Sequence, residues 1–431
     1  MTRPPGALGD ESLRRVIGAA GLSASIVNIV VGGSIFVLPA VLARELGTAA
    51  PVAYLTGAVV MGLVALAFAE AGRRTARSGG PYAYVEAAFG RYPGFLAGLL
   101  TWLAVVLACA AVAAALVDSL STMLPVLRVP VARGSALVLL FAVLAVVNVR
   151  GVRAGTRLAS AAAIAKSAGL LLFVLLAARY IETENLDWSW PTDAGGLGRA
   201  TVLTMFALAG MEVPLCAGGE IRDPARTVPR ALAGALAFVV LLYVTIHLVA
   251  QGVMGAGLPD SQAPLADALA KGGSGGRALL LAVGAVSMFG YLAGDTLGAS
   301  RILFAFGRDG LLPRRLAAVH PDTRAPHLAI VVHALAAALL AMTGSFAVLA
   351  PIASVAIIVV YLGCCAAAWA LTERTGCLAG VVPLLAIAGL LWVASHSTGP
   401  EFLAVGAVLL VGSLLYLLGR RIAAEAEKPS A

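Results

Sequence analysis

Twelve apolar runs follow one another along this chain, at about 16–43, 49–71, 94–118, 134–149, 156–178, 198–218, 230–252, 277–306, 327–343, 345–371, 377–396 and 401–419. A helix needs about 20 apolar residues to cross the hydrocarbon core of a bilayer, and most of these runs approach or exceed that length. A water-soluble core could not hide so much apolar surface, since 60% of the 431 residues are hydrophobic and only 12% charged. An ordinary soluble domain carries about a quarter charged residues. Barrel strands would alternate apolar and polar positions, and no such alternation is visible. The chain reads as an all-α integral membrane protein with twelve transmembrane helices.

Charge fixes how such a chain sits. With both termini placed in the cytoplasm, 22 of the 30 Lys and Arg fall at or beyond the cytoplasmic ends of the runs, 7 at the other ends, and Lys166 alone lies deep inside a run. That asymmetry is the positive-inside pattern, and it predicts a multi-pass protein of the cell membrane with cytoplasmic tails at 1–15 and 420–431. The polar start "MTRPPGALGDESLRR" lacks a small-residue cleavage site before the first run, so the first span is expected to be retained. The net charge of +8 is spread over loops. A nucleic-acid partner would need those charges clustered on one face, so none is expected.

A single transporter-sized domain is visible, without a low-complexity linker. The five cysteines, Cys109, Cys216, Cys364, Cys365 and Cys377, show neither CxxC nor Cys/His zinc spacing and read as small buried hydrophobes. No cofactor or metal is expected from spacing alone.

Two runs are weakened at matching places. The first carries "VGGSIF", with Gly32, Gly33 and Ser34 at its centre, and glycine costs roughly 1 kcal/mol relative to alanine inside a helix. The sixth reads "TMFALAGMEVPLCAGGE", where Gly210, Glu212 and Pro214 interrupt the apolar residues. Pro214 removes a backbone donor and should kink or break the helix just before it. Spans 1 and 6 open two consecutive blocks of five, and paired interruptions of this kind point to a transporter built from inverted repeats, with substrate held where the broken helices meet. Close packing on small residues is the plainer alternative for span 1 taken singly.

Four stretches carry a family resemblance over nearly the whole chain: "VGGSIFVLPA", "FAEAGRRTARSGGPYAYVEAAFG", "FALAGMEVPLCAGGEIRDPARTVPRA" and "SRILFAFGRDGLLPRRLAAVHP". In this order, they resemble the amino acid–polyamine–organocation superfamily of permeases. The resemblance implies a leucine-transporter-like fold, with repeats at about 16–178 and 198–371 and two further helices at 377–419. It also implies an amino acid substrate, a lipid surround, alternating access by exchange or proton coupling, and room for a homodimer.

By that resemblance Gly33 and Ser34, flanked by Gly32 and Ile35, should donate backbone N–H groups to a substrate carboxylate; helix termini hold anions in this way. The family's usual Gly-Ser/Thr-Gly order is exchanged here, which moves the hydroxyl by one residue. The carbonyls of Phe206, Ala207 and Ala209, with Val30 from span 1, match positions that receive the ammonium group, and Phe206 matches an aromatic gate. Span 3 lines the side-chain pocket in relatives, and Ala104, Val105, Ala108 and Cys109 are all small, which fits neutral side chains of small to medium size. Cationic amino acids or polyamines form the alternative substrate class.

Three ionisable residues lie deep inside the spans, while Asp118 and Glu70 lie near span ends, where a solvated or loop-pairing role is expected. A central ammonium costs about 2.5–3.5 kcal/mol, so Lys166 needs a purpose. In resembling sodium-independent members a lysine at this point takes the place of a sodium ion, and the same reading is made here, beside a plain structural bridge to span 1. Glu212 either carries a proton or anchors the unwound segment. Asp295, where some relatives have a large aromatic, either pairs with a cationic substrate, binds a proton or hydrogen-bonds within the bundle. An enzyme is not expected, because His247, His320, His327, His333 and His396 are scattered and no acid, base and nucleophile are grouped.

Overall fold

The computed structural model describes residues 18–74, 81–150, 166–187, 190, 194–215, 221–308, 310–323, 325–372 and 377–426. Among them the chain is helical, with no β-strand. The expected tail 1–15 lies outside the described residues, as do the first part of span 5 and residues 216–220 after span 6.

Seven helical stretches are long and apolar enough to cross a membrane: 51–72, 91–121, 130–149, 225–260, 275–308, 346–371 and 399–417. Shorter apolar helices cover 19–30, 195–208, 327–343 and 380–394. The first run is split into α1 (Ala19–Val30), a 3-10 turn at Ser34–Phe36 and α2 (Leu38–Leu46). Then come α3 (Pro51–Arg74), the short α4 (Pro81–Phe89), α5 (Arg91–Ser121), α6 (Pro130–Val149) and α7 (166–177). The sixth run is also split, into α8 (Ala194–Leu208) and α9 (Glu212–Leu215). The rest is α10 (Pro224–Met254), the short α11 (Pro264–Leu269), α12 (Ser274–Arg308), α13 (His327–Thr343), α14 (Phe346–Leu371), α15 (Cys377–Ala394) and α16 (Gly399–Ala426).

Helix α5 is the central pillar and packs on α14, α12, α13 and α4. Its Ala-rich stretch from Ala110 to Ala115 is almost wholly buried, and small residues of this kind let neighbouring helices approach closely. By contrast α6 and α16 stand at the edge and leave leucines such as Leu139, Leu403 and Leu410 exposed. In a membrane such faces meet lipid.

Several connections meet at one end of the bundle. Arg44, in the last turn of α2, donates to the Pro259 carbonyl; Ser119 Oγ lies 3.4 Å from the Gln262 carbonyl; Lys271 pairs with Glu182 at 2.7 Å. Arg133 pairs with Asp118 and reaches the carbonyls of Ala341 and Gly344, while Arg199 pairs with Glu401 at 2.6 Å. The connections that follow runs 1, 3, 5, 7, 9 and 11 therefore share one end. At that end the Lys271 ammonium holds the exposed Glu182 carboxyl below the usual carboxylate range. The connection between runs 7 and 8, expected to lie outside the membrane, is itself folded, and α11 buries Leu265, Ala266, Ala268 and Leu269 against α12 and its neighbours.

Candidate functional site

The two interrupted helices meet at the centre of the bundle. A Cβ built on Gly210 would lie 3.0 Å from Ile29 Cγ2, which shows how closely the two breaks approach. Gly210 adopts φ +104, a conformation L side chains rarely take, so the break in the sixth run centres on residues 209–211. Pro214 was expected to cause this break; instead it sits inside the first turn of α9, where its missing N–H costs nothing.

The first break leaves backbone groups unpaired and the neighbouring spans take them up. Helix α1 ends as the Val31 amide bonds to Val27, and the Gly32 amide turns back to the Val30 carbonyl at 2.7 Å. The Asn28 carbonyl is thereby released, and Lys166 Nζ donates to it at 2.5 Å. A cation at the carbonyl end of a helix also meets the favourable end of its dipole. Lys166 is buried at 5% exposure, and the expected bridge to span 1 is present. Beyond the break, the amides of Gly33, Ser34 and Ile35 have no backbone acceptor among the described residues. All three residues are buried, and consecutive N–H groups without a backbone acceptor are the kind of donor that can hold an anion.

On the second break, the carbonyls of Phe206, Ala207 and Ala209 receive no backbone amide among the described residues. Tyr243 of α10 joins the two halves: its hydroxyl donates to the Val30 carbonyl at 2.8 Å and lies 3.5 Å from the Ala207 carbonyl. The Val30 oxygen, expected to receive an ammonium group, thus already accepts two hydrogen bonds. Glu212 is buried, and its Oε2 accepts from the Gly210 amide at 3.1 Å and from the Tyr361 hydroxyl at 2.7 Å. It pins the second break to α14.

Around this core, Phe206 is half-buried and meets Phe346 edge to face with centroids 5.4 Å apart. The Tyr291 ring lies against Gly32, 3.4 Å from where a Cβ would stand. Ala104 is buried and Ala108 half-buried one turn further along α5. Cys109 is buried, and it lies beside Asp295 of α12 and His333 of α13. His333 Nε2 stands 3.4 Å from Asp295 Oδ2. Tyr243, Tyr291, His333 and Tyr361 are the residues the sequence reading missed. The available signal was the polar tip of each aromatic within an apolar run, because such tips usually find a partner when buried.

A family model described as amino acid permease matches residues 17–414. The chain is 28% identical over 341 residues to the branched-chain amino acid permease of Bacillus subtilis, covering 74% of this chain and 73% of that one. It is 25% identical over 429 residues to the serine/threonine exchanger of the same organism, covering 94% and 95%. An uncharacterised transporter of Mycobacterium tuberculosis (strain H37Rv) is 30% identical over 442 residues, covering 99% and 97%.

Proposed function

The chain belongs to the amino acid permease family, and from that premise we propose that it moves small-to-medium neutral L-amino acids across the cell membrane by alternating access. The observation that carries this reading is the pair of facing breaks: among the described residues the amides of Gly33, Ser34 and Ile35 have no backbone acceptor on one side, and the carbonyls of Phe206, Ala207 and Ala209 receive no backbone amide on the other. A zwitterion needs an anion site and a cation site a few ångströms apart. Uncharged backbone supplies both without the cost of burying full charges.

The arrangement is read as twelve spans, with the repeats at 16–178 and 198–371. The meeting of the odd-numbered connections at one end of the bundle supports this count. The excess of Lys and Arg on the other connections supports cytoplasmic termini.

Neutral substrates are favoured over cationic ones because Asp295 faces His333, Cys109 and Tyr291 rather than standing alone at the break. The two named relatives, a branched-chain permease and a serine/threonine exchanger, carry neutral side chains. In liposomes holding the purified chain, labelled neutral amino acids should show saturable counterflow. No saturable flux would overturn the transporter reading. Thermal stabilisation by diamines alone would overturn the substrate class and leave the transporter reading standing.

Lys166 takes the role of a bound cation at the end of α1, so transport is sodium-independent. Replacing sodium by choline should leave uptake unchanged, and stimulation by sodium would sink this assignment. Lys166→Met should leave the Asn28 carbonyl unpaired, a cost of about 1–3 kcal/mol read as a lowered melting midpoint.

A further inference from the structure

Three spans bring Cys109, Asp295 and His333 together inside the bundle, and one ligand atom from each lies within 4.8 Å of the other two. Cys109 and His333 have no exposed surface, and the Asp295 side chain is 7% exposed. Asp295 exchanges hydrogen bonds with Cys109 and Tyr291, but its contact with His333 is poor. The 3.4 Å between His333 Nε2 and Asp295 Oδ2 exceeds the usual N–H···O range of about 2.7–3.2 Å. Asp295 Oδ2 and both His333 ring nitrogens have no hydrogen-bond partner among the described residues. Buried polar groups left in that condition are uncommon in folded proteins and call for a reason.

The same spacing suits a metal ion. Two ligands each about 2.0–2.1 Å from a tetrahedral centre stand roughly 3.4 Å apart, and the Cys109 sulfur lies within 4.8 Å of both other ligand atoms. We propose that Cys109, Asp295 and His333 form a binding site for a borderline-soft divalent cation, of which zinc is the type. Thiolate and imidazole together select zinc-like ions over magnesium or calcium, which prefer all-oxygen shells. Binding releases the Cys109 thiol proton to solvent. A thiolate, a carboxylate and a doubly charged ion then sum to no net charge, the arrangement a low-dielectric interior favours. Tyr291 faces the Asp295 carboxylate and orients it, as partners of metal-bound carboxylates commonly do. Trp102 closes the far side, its ring centroid 6.5 Å from that of His333. Such an ion ties α5, α12 and α13 into one block beside the first interrupted helix, where Tyr291 of α12 lies against Gly32.

Tag-free full-length protein, stripped with a chelator and titrated with Co²⁺, should take up one equivalent and develop a thiolate-to-cobalt charge-transfer band. Cys109→Ser, which barely alters packing, should abolish the band. Asp295→Asn and His333→Gln should weaken binding by at least about tenfold, the scale seen when even supporting residues of metal sites are lost. Zn²⁺ should raise the melting midpoint of the wild type and leave that of Cys109→Ser where it was. Absence of the band, or an equal band in Cys109→Ser, would overturn the site. Neither result bears on amino acid flux, so the permease reading stands or falls separately.

Discussion

Gly33→Ala should lower amino acid uptake by about tenfold or more while the protein still inserts and purifies as a single species. Gly33 has φ −79, so alanine can adopt its backbone without strain, and the whole effect is one of space. A Cβ there would lie 2.7 Å from Val112 Cγ1 on α5 and 2.9 Å from Met288 Cγ on α12. Val112 is β-branched and stiff, and Met288 would be met in mid-chain, so neither gives way at its free end. Overpacking of this kind costs about 1–3 kcal/mol, and about 1.4 kcal/mol is a factor of ten. Two controls sharpen the result. Val112→Ala in the Gly33→Ala background should recover part of the uptake. Gly32→Ala, whose Cβ would meet nothing closer than Tyr291 at 3.4 Å, should be much milder. Equal losses at Gly32 and Gly33 would show that chain flexibility, rather than room beside the unpaired amides, is what the glycines supply.

The contrast between those neighbouring glycines marks how far the sequence could be read. The existence of the first break follows from Gly32, Gly33 and Ser34, because local propensity is strong there and nothing in an apolar helix compensates for it. The break in the sixth run falls at Gly210, one of the three interrupting residues, and not directly before Pro214. Proline signals helix disruption only when it falls beyond the first turn, and the positive φ of Gly210 moved the interruption upstream, leaving Pro214 inside that turn. Lys166 was legible because a mid-span ammonium must find an acceptor, and the carbonyls freed at the end of α1 are the ones a break makes available.

What joins the halves was not legible. Tyr243 serves Val30 from 213 positions away, and Tyr361 serves Glu212 from 149. His333 reaches Asp295 only because α12 and α13 pack against each other. Each of these depends on the rotation of a helix about its own axis, and uniformly apolar spans carry almost no periodic signal to set it. The grouping of Cys109, Asp295 and His333 escapes any spacing rule for the same reason, since its members come from three spans.

Glu212→Ala should reduce uptake below about a tenth of wild type and lower the melting midpoint, because one carboxylate oxygen joins the second break to α14. Its Oε2 accepts from the Gly210 amide and the Tyr361 hydroxyl. Tyr361 is fully buried against Phe68, with ring centroids 5.3 Å apart, so its hydroxyl cannot turn to water. Losing the acceptor leaves two buried donors unsatisfied, each at about 1–3 kcal/mol. Tyr361→Phe removes one donor together with its need and should cost less than Glu212→Ala. In the double variant the losses should fall short of the sum, as expected for residues sharing one hydrogen bond. Glu212→Gln separates anchoring from proton carriage. The amide keeps one acceptor oxygen and nearly the same volume but cannot ionise. If the residue works as an anchor, Glu212→Gln should transport more slowly with the pH profile of uptake unchanged. A profile flattened across the range in which the wild type responds would instead assign Glu212 the coupling proton. The two breaks would then divide the labour differently, with α1 fixed by Lys166 and α9 moved by a titrating acid.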